Sequence, residues 1–302
     1  MLDIQDLCIE FPGTDGPVTV VNKASLSVDS GEVVGIIGES GAGKSTIGNA
    51  IIGMLPKPGY VKDGQILFDG DDTVSMGPEA IGRLRGSHLT YIFQNPLTAL
   101  NPLLTIEEQV AETVTLRSGL PAREAKKTVR SLLKRVGFHE PDRAMASYPH
   151  ELSGGMLQRA VISIAIAVAC KPKLIIADEP TTALDASLQA AIVSLLATIA
   201  KEEKIGVLLI SHDMGVITLA TDRLYVMRYG EIVENGPTKT VIENPTHPYT
   251  RGLIRSVPTT RGRLHRFYTP DTDDEDQRAP TPERLATRTP LIEIKDLSVA
   301  FK

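Results

Sequence analysis

The sequence predicts an α/β chain with a parallel-sheet core, an antiparallel β subdomain at its start and a helical subdomain inserted in its middle. Three observations carry this prediction. Four short apolar runs, at 33–37, 89–93, 174–177 and 207–210, have the character of strands buried on both faces of a parallel sheet. Earlier segments alternate apolar and polar residues with the period of half-buried strands. Between about 96 and 158 the pattern changes to helical spacing interrupted by Pro and Gly.

Residues 2–11 alternate through Leu2, Ile4, Leu7, Ile9 and Phe11, with a register adjustment near Asp6 and Leu7. Segments 18–28 and 65–68 read the same way with Gly and Asp turns between them, which suggests an antiparallel sheet beside the core. The run 33–37 leads straight into a glycine-rich loop, 89–93 into Gln94, 174–177 into Asp178 and Glu179, and 207–210 into Ser211 and His212. Open parallel sheets bind ligands outside the carboxyl ends of their strands, so these groups are expected to converge. Within the insert, 105–116 and 121–136 have helical periodicity, and 223–234 reads as two strands joined by a tight turn at Tyr229-Gly230.

After Pro258 the composition shifts. Residues 259–290 hold the acidic run 271–276 and four prolines with little to bury, as expected of a solvated linker. Residues 292–301, IEIKDLSVAF, then align with 2–11, LDIQDLCIEF, at a constant offset. An internal repeat placed after a linker reads as the first strand of a second copy. The expected organisation is a domain over 1–258 with its helical subdomain at about 96–158, a linker over 259–290, and the start of a second domain at 291–302.

The composition is that of a soluble globular chain, with 42% hydrophobic and 23% charged residues. A net charge of −5 gives no bulk electrostatic case for nucleic acid, which is not expected as a partner. The two cysteines, Cys8 and Cys170, are far apart and lack CxxC spacing, as for small buried hydrophobes in a reducing compartment. No apolar run reaches membrane-span length and Met1-Leu2-Asp3-Ile4 is no signal peptide, so a cytoplasmic chain is expected, with membrane contact through a partner.

The loop 38–46, GESGAGKST, satisfies GxxxxGK[ST] between an apolar run and a helical pattern, a context that separates it from a chance glycine turn. Its glycines allow the backbone to wrap phosphate oxygens, and the following helix offers its positive N-terminal end. Lys44 would neutralise β- and γ-phosphates and the Ser45 hydroxyl would ligate Mg²⁺. Asp178 is the expected carboxylate of the Mg²⁺ shell, and Glu179 the general base for an attacking water. Ser153, Gly154 and Gly155 precede the long apolar helix 160–169 and form a second anion site at a helix N-terminus.

In this order the segments GESGAGKST, LSGGMLQR at 152–159, ADEPTTALD at 177–185 and SHDMGV at 211–216 resemble the ABC family of ATPases over residues 1 to about 258. The resemblance implies a P-loop, RecA-like core that binds and hydrolyses ATP with Mg²⁺. It implies that Gly38, Ser40, Gly41, Gly43, Lys44, Ser45 and Thr46 bind the phosphates. Gln94 would touch Mg²⁺ and the attacking water and link them to the helical subdomain, and His212 would contact the γ-phosphate and orient the water. Ser153, Gly154, Gly155 and Asp185 would meet the ATP of a second ABC ATPase domain, fused or separate, because the helical insert keeps them from their own phosphate loop. Phe11 fits two roles, a core aromatic and a stacking face for adenine.

FQNPLTALNP at 93–102 and PTHPYT at 245–250, with Leu253 and Ser256-Val257-Pro258, further resemble the ATPase subunits of dipeptide, oligopeptide and nickel importers. That implies integral membrane permease subunits as partners, docking beside the Gln94 loop, and indirectly an extracytoplasmic solute-binding protein. The chain would then sit peripherally at the cytoplasmic face of the membrane. Two departures stand out. Leu157 occupies a signature position where many relatives carry Arg, and the C-terminal region lacks the cysteine cluster of some relatives, so no iron–sulfur centre is expected. A soluble tandem ABC ATPase acting on ribosomes or DNA is the alternative; the PTHPYT segment and the acidic balance oppose it. Glu179 and His212 oppose a module that binds ATP without turnover.

Overall fold

The computed structural model describes residues 1–85, 87–168, 172–181, 184 and 186–256. Asp185, Cys170, the linker at 259–290 and the repeat at 292–301 lie outside the described residues.

Period-two burial builds the first layer. β1 (Leu2–Gly13) pairs antiparallel with β2 (Gly16–Val28) and buries Leu2, Ile4, Leu7 and Ile9. Asp6 adopts φ 46 and the register shifts between Ile4 and Leu7, so the apolar side chains stay on one face despite the break in alternation. β3 (Val33–Ile37) leads through the glycine loop into α1 (Lys44–Ile51). β4 (Tyr60–Phe68) and β5 (Asp71–Asp72) then complete a sheet of order β2-β1-β4-β5.

The second sheet is the core. After α2 (Pro78–Leu84), β6 (Leu89–Ile92) ends one residue short of the expected run. The helical insert follows as α3 (Pro96–Ala99), α4 (Ile106–Ser118), α5 (Ala122–Arg135) and α6 (Pro141–Ala146). α4 starts at a capping box in which Thr105 accepts from the Glu108 N–H and Glu108 accepts from the Thr105 N–H. α7 (Gly154–Val168) begins at the glycines themselves, earlier than the expected 160–169, so Gly154 and Gly155 form its first turn. β7 (Leu174–Asp178), α8 (Ala186–Glu203), β8 (Gly206–Ser211), α9 (Met214–Ala220), β9 (Arg223–Arg228) and β10 (Glu231–Pro237) follow, then α10 (Thr238–Glu243) and α11 (Pro248–Arg255).

The central sheet runs β10-β9-β3-β8-β7-β6, parallel from β9 to β6, with β10 antiparallel at the edge. The hairpin at 223–237 therefore extends the core sheet through β9, which its alternation alone does not reveal. Each central strand divides its side chains by parity. Val33 and Ile37, Ile175 and Ala177, and Val207 and Leu209 face a layer that includes α4, α5 and α8. Val34 and Ile36, Leu174 and Ile176, and Leu208 and Ile210 face α1 and the antiparallel sheet. Burying each of the Val, Leu and Ile side chains contributes about 1.5–3 kcal/mol, which fixes the register and so the positions of the strand ends. No helix among the described residues is long and apolar enough to cross a membrane.

Candidate active site

The phosphate loop leaves β3 at Gly38, where the backbone passes so close to β9 that a Cβ would stand 2.1 Å from the Met227 carbonyl oxygen. Gly43 caps α1 with φ 101, a left-handed conformation that costs glycine little. Lys44 follows at 5% exposure, its ammonium donating to the carbonyls of Gly38 and Glu39 at 2.8 Å each. Burial pushes its pKa below the ordinary lysine value, against the opposing charges of Glu179, Asp178 and Glu39. The loop thus holds a buried cation beneath the N-terminal end of α1, an arrangement suited to a polyanion.

Two carboxylates stand at the end of β7. Asp178 is buried, its Oδ1 accepting from the Ser45 hydroxyl at 2.9 Å and its Oδ2 from the Tyr91 hydroxyl at 2.7 Å. Burial raises its pKa; the Tyr91 and Ser45 hydrogen bonds and Lys44 pull it back, while neighbouring Glu179 adds to the rise. Burial, with the Asp178 charge behind it, also pushes the Tyr91 phenol upward, so Tyr91 stays a donor. Glu179 takes φ 47, a left-handed conformation unfavourable for a side chain with a Cβ, and its N–H donates to the Ile210 carbonyl at 2.9 Å. Its two carboxylate oxygens are held separately. Gln94 Nε2 donates to Oε2 at 2.6 Å, and His212 Nδ1 lies 2.9 Å from Oε1. An ionised carboxylate only accepts, so that contact requires the proton on His212 Nδ1.

A cavity of about 540 Å³ collects these groups, lined by Val20, Ser40, Gly41, Gly43, Lys44, Ser45, Thr46, Gln94, Glu179 and His212. Residues following four strand ends thus converge as the strand pattern predicts. Gly38 and Asp178 lie outside the lining; Gly38 carries the Lys44 contact and Asp178 is reached through Ser45. Ser45 and Asp178 offer hard oxygen donors 2.9 Å apart, the type Mg²⁺ takes alongside phosphate oxygens and water. The residues present therefore fit a phosphate-bound Mg²⁺.

Phe11 is absent from the cavity lining. A Cβ at Gly59 would stand 2.5 Å from its ring, and Val20, on the strand facing β1, lines the cavity instead. Ser153 and Gly155 line a different cavity, of about 570 Å³, with Leu152, Met156, Arg159 and Leu188 among its walls. The two cavities share no lining residue. The Ser153 hydroxyl accepts from the Met156 N–H at 3.4 Å, and Gly155 is packed so closely on α8 that a Cβ would meet Leu188 at 2.0 Å.

Three residues near the site escaped the sequence reading: Val20, Tyr91 and Tyr249. Tyr91 pairs across the sheet with Ile176, two residues before Asp178 on the same face, so its role depends on β6 lying next to β7. Tyr249 is buried and its hydroxyl accepts the Glu39 N–H of the phosphate loop at 3.2 Å. The only sequence signal for it is an aromatic inside the 245–250 segment.

Residues 21–182 match the family described as ABC transporter, and residues 233–282 the C-terminal region of oligopeptide/dipeptide transporters. The dipeptide transport ATP-binding protein of Haemophilus influenzae is 42% identical over 258 residues, 85% of this chain and 78% of that protein. The oligopeptide transport ATP-binding protein of Bacillus subtilis is 42% identical over 260 residues, 86% of this chain and 72% of that protein. The fold is similar to a dimeric ATP-binding cassette in a post-hydrolysis state bound to ADP and Pi, with TM-score 0.69 and 27% identity, over 79% of this chain and 99% of that one.

Proposed function

The chain belongs to the ABC transporter family, and on that premise we propose that it is the ATP-hydrolysing subunit of a membrane importer for peptides or related small solutes. The observation that supports this most is the Glu179 carboxylate, held between Gln94 and His212 at the mouth of a loop that buries Lys44.

The bound triphosphate would lie in the glycine loop, its β- and γ-phosphates neutralised by Lys44 and by backbone N–H groups at the start of α1. Ser45 and Asp178 would hold Mg²⁺, which when bound supplies positive charge against the charge developing on the transferred phosphoryl group. Glu179 takes the proton of the attacking water. Each of its oxygens accepts a hydrogen bond here, from Gln94 on one side and His212 on the other, which orients the carboxylate for that proton. His212, lining the same cavity, would contact the γ-phosphate. Gln94 stands just before the helical insert, so its displacement would pass to α3 and α4.

Ser153 and the first turn of α7 offer a hydroxyl and helix-end N–H groups in a cavity that shares no lining residue with that of the phosphate loop. They would complete the site of a second ATP-binding domain, fused or separate, making ATP-driven pairing part of the cycle. Peripheral attachment to permease subunits at the cytoplasmic face, with an extracytoplasmic solute-binding protein supplying cargo, completes the proposed assembly.

Replacing Glu179 by Gln tests this reading. Turnover should fall by about 10² or more, as expected for loss of a general base, while the ATP-bound pair becomes stable enough to isolate by size-exclusion chromatography. Hydrolysis at the unaltered rate removes Glu179 from the role of base.

A further inference from the structure

The 245–250 segment takes no part in the hydrolytic chemistry, yet it reaches the phosphate loop. Its anchor is Glu234 of β10, which accepts from the N–H of Thr246 at 2.7 Å, the Thr246 hydroxyl at 2.9 Å and the N–H of His247 at 3.0 Å. His247 then caps α11, its Nδ1 accepting the Tyr249 N–H at 3.2 Å, and Pro248 takes the first helical position, where no N–H is needed. This sends Tyr249 into the interior at 1% exposure. The Arg228 guanidinium lies 4.8 Å from its ring centre and equally far from that of Tyr229. The Tyr249 hydroxyl accepts the Glu39 N–H.

The Glu39 N–H and the Gly38 carbonyl are two edges of one peptide group. Lys44 holds the carbonyl edge and Tyr249 the N–H edge, from different parts of the chain. A second brace reaches the same loop from the β9–β10 turn, where the Gly230 N–H donates to the Ala42 carbonyl at 3.1 Å. Lys44 spends two of its three donors on the Gly38 and Glu39 carbonyls, which leaves one for the phosphate oxygens of an entering triphosphate. The hold from Tyr249 does not depend on Lys44. We propose that Tyr249 is a positioning residue for the nucleotide, whose hydroxyl fixes the first peptide group of the phosphate loop so that the 245–250 segment sets the affinity for ATP. The inference rests on the reading of 38–46 as the ATP site. Without the hydroxyl, that peptide must be ordered when ATP binds, and the ordering cost subtracts from affinity.

Tyr249→Phe in the full-length chain keeps the ring and removes only the hydroxyl. Titration with a fluorescent ATP analogue should show binding weakened about three- to tenfold, the net worth of one hydrogen bond, with KM raised likewise and kcat within about twofold. In hydrogen exchange of the nucleotide-free chain, the Glu39 amide should exchange faster while the amides of β3 keep their protection. An unchanged affinity, with or without faster exchange, overturns the role. So does loss of protection throughout β3, which would make the hydroxyl a general support of the fold. Failure of the unaltered chain to bind the analogue would instead remove the site reading on which the inference stands.

Discussion

Two glycine segments open helices in this molecule, and they are finished very differently. The loop at 38–46 feeds α1 beside a buried lysine, a serine bonded to Asp178, a carboxylate held at both oxygens and a tyrosine bracing it from α11. The segment at 153–155 feeds α7 with one serine hydroxyl and a buried glycine pressed on Leu188. Both present the N–H groups of a helix start. The first sets a buried lysine and a carboxylate held by Gln94 and His212 at one cavity, whereas the cavity of the second is walled by Arg143, Arg159, Glu140 and Glu151. A glycine-rich helix start is thus a receptor for anions, and the charged groups that the fold brings beside it decide whether chemistry occurs there. Under the proposed function the second segment is the contact surface for a nucleotide held by another domain.

The sharpest way to break this contrast is Ser153→Ala. It should lower turnover about tenfold or more, as for other lost donors to transition-state charge, while the ATP affinity of the dilute, unpaired chain stays unchanged. Equal losses in affinity and turnover, measured by analogue titration and phosphate release, would mean that both segments serve one nucleotide.

A smaller effect should come from Tyr91→Phe. The phenol lowers the pKa of Asp178 against burial, so its removal lets burial raise that pKa further. Asp178 must be ionised to take up a divalent cation, so the acid limb of the kcat/KM–pH profile, which reports the free enzyme, should move to higher pH. A profile that stays in place would separate Tyr91 from the electrostatics of Asp178.

The smallest effect concerns the brace behind the phosphate loop. Burial works to raise Glu234, but the hydrogen bonds from Thr246 and His247 outweigh it and hold its pKa below the ordinary value of 4.5. A carboxylate depressed on folding stabilises the fold above that ordinary value, and the gain is lost as pH falls through the depressed one. The Tm advantage of the unaltered chain over Glu234→Gln should therefore be full at neutral pH and close below about pH 4. A constant gap across that range would assign the anchoring of 245–250 to packing and not to charge.

Much of this was legible in the residues because its physics is local. Apolar runs of five residues, such as Val33–Ile37, read as buried strands, and the break in alternation at Asp6 marks a real register shift with φ 46. The order Gly-Lys-Ser-Thr after a strand names a phosphate loop because the backbone conformations that wrap an anion depend on glycine at fixed steps. Glu179, His212 and Gln94 could be placed together since each follows the carboxyl end of a parallel strand. The start of α7 was misjudged because two glycines weaken a helix intrinsically, and packing of Gly155 against Leu188 outweighs that cost.

By itself the sequence determined which strands are buried, where the phosphate loop lies and which side chains meet at the strand ends. Strand order and docking were decided by the tertiary structure alone. It set β6 beside β7, bringing the Tyr91 hydroxyl to Asp178, and attached the hairpin β9–β10 to β3, placing Gly230 against the loop at Ala42. It also left Phe11 outside the cavity lining and brought Tyr249 under Glu39, 210 residues away along the chain. The reason is one of range. Periodicity and turn chemistry act over a few residues, whereas pairing between distant segments depends on which apolar faces can be buried together, a property of the whole fold.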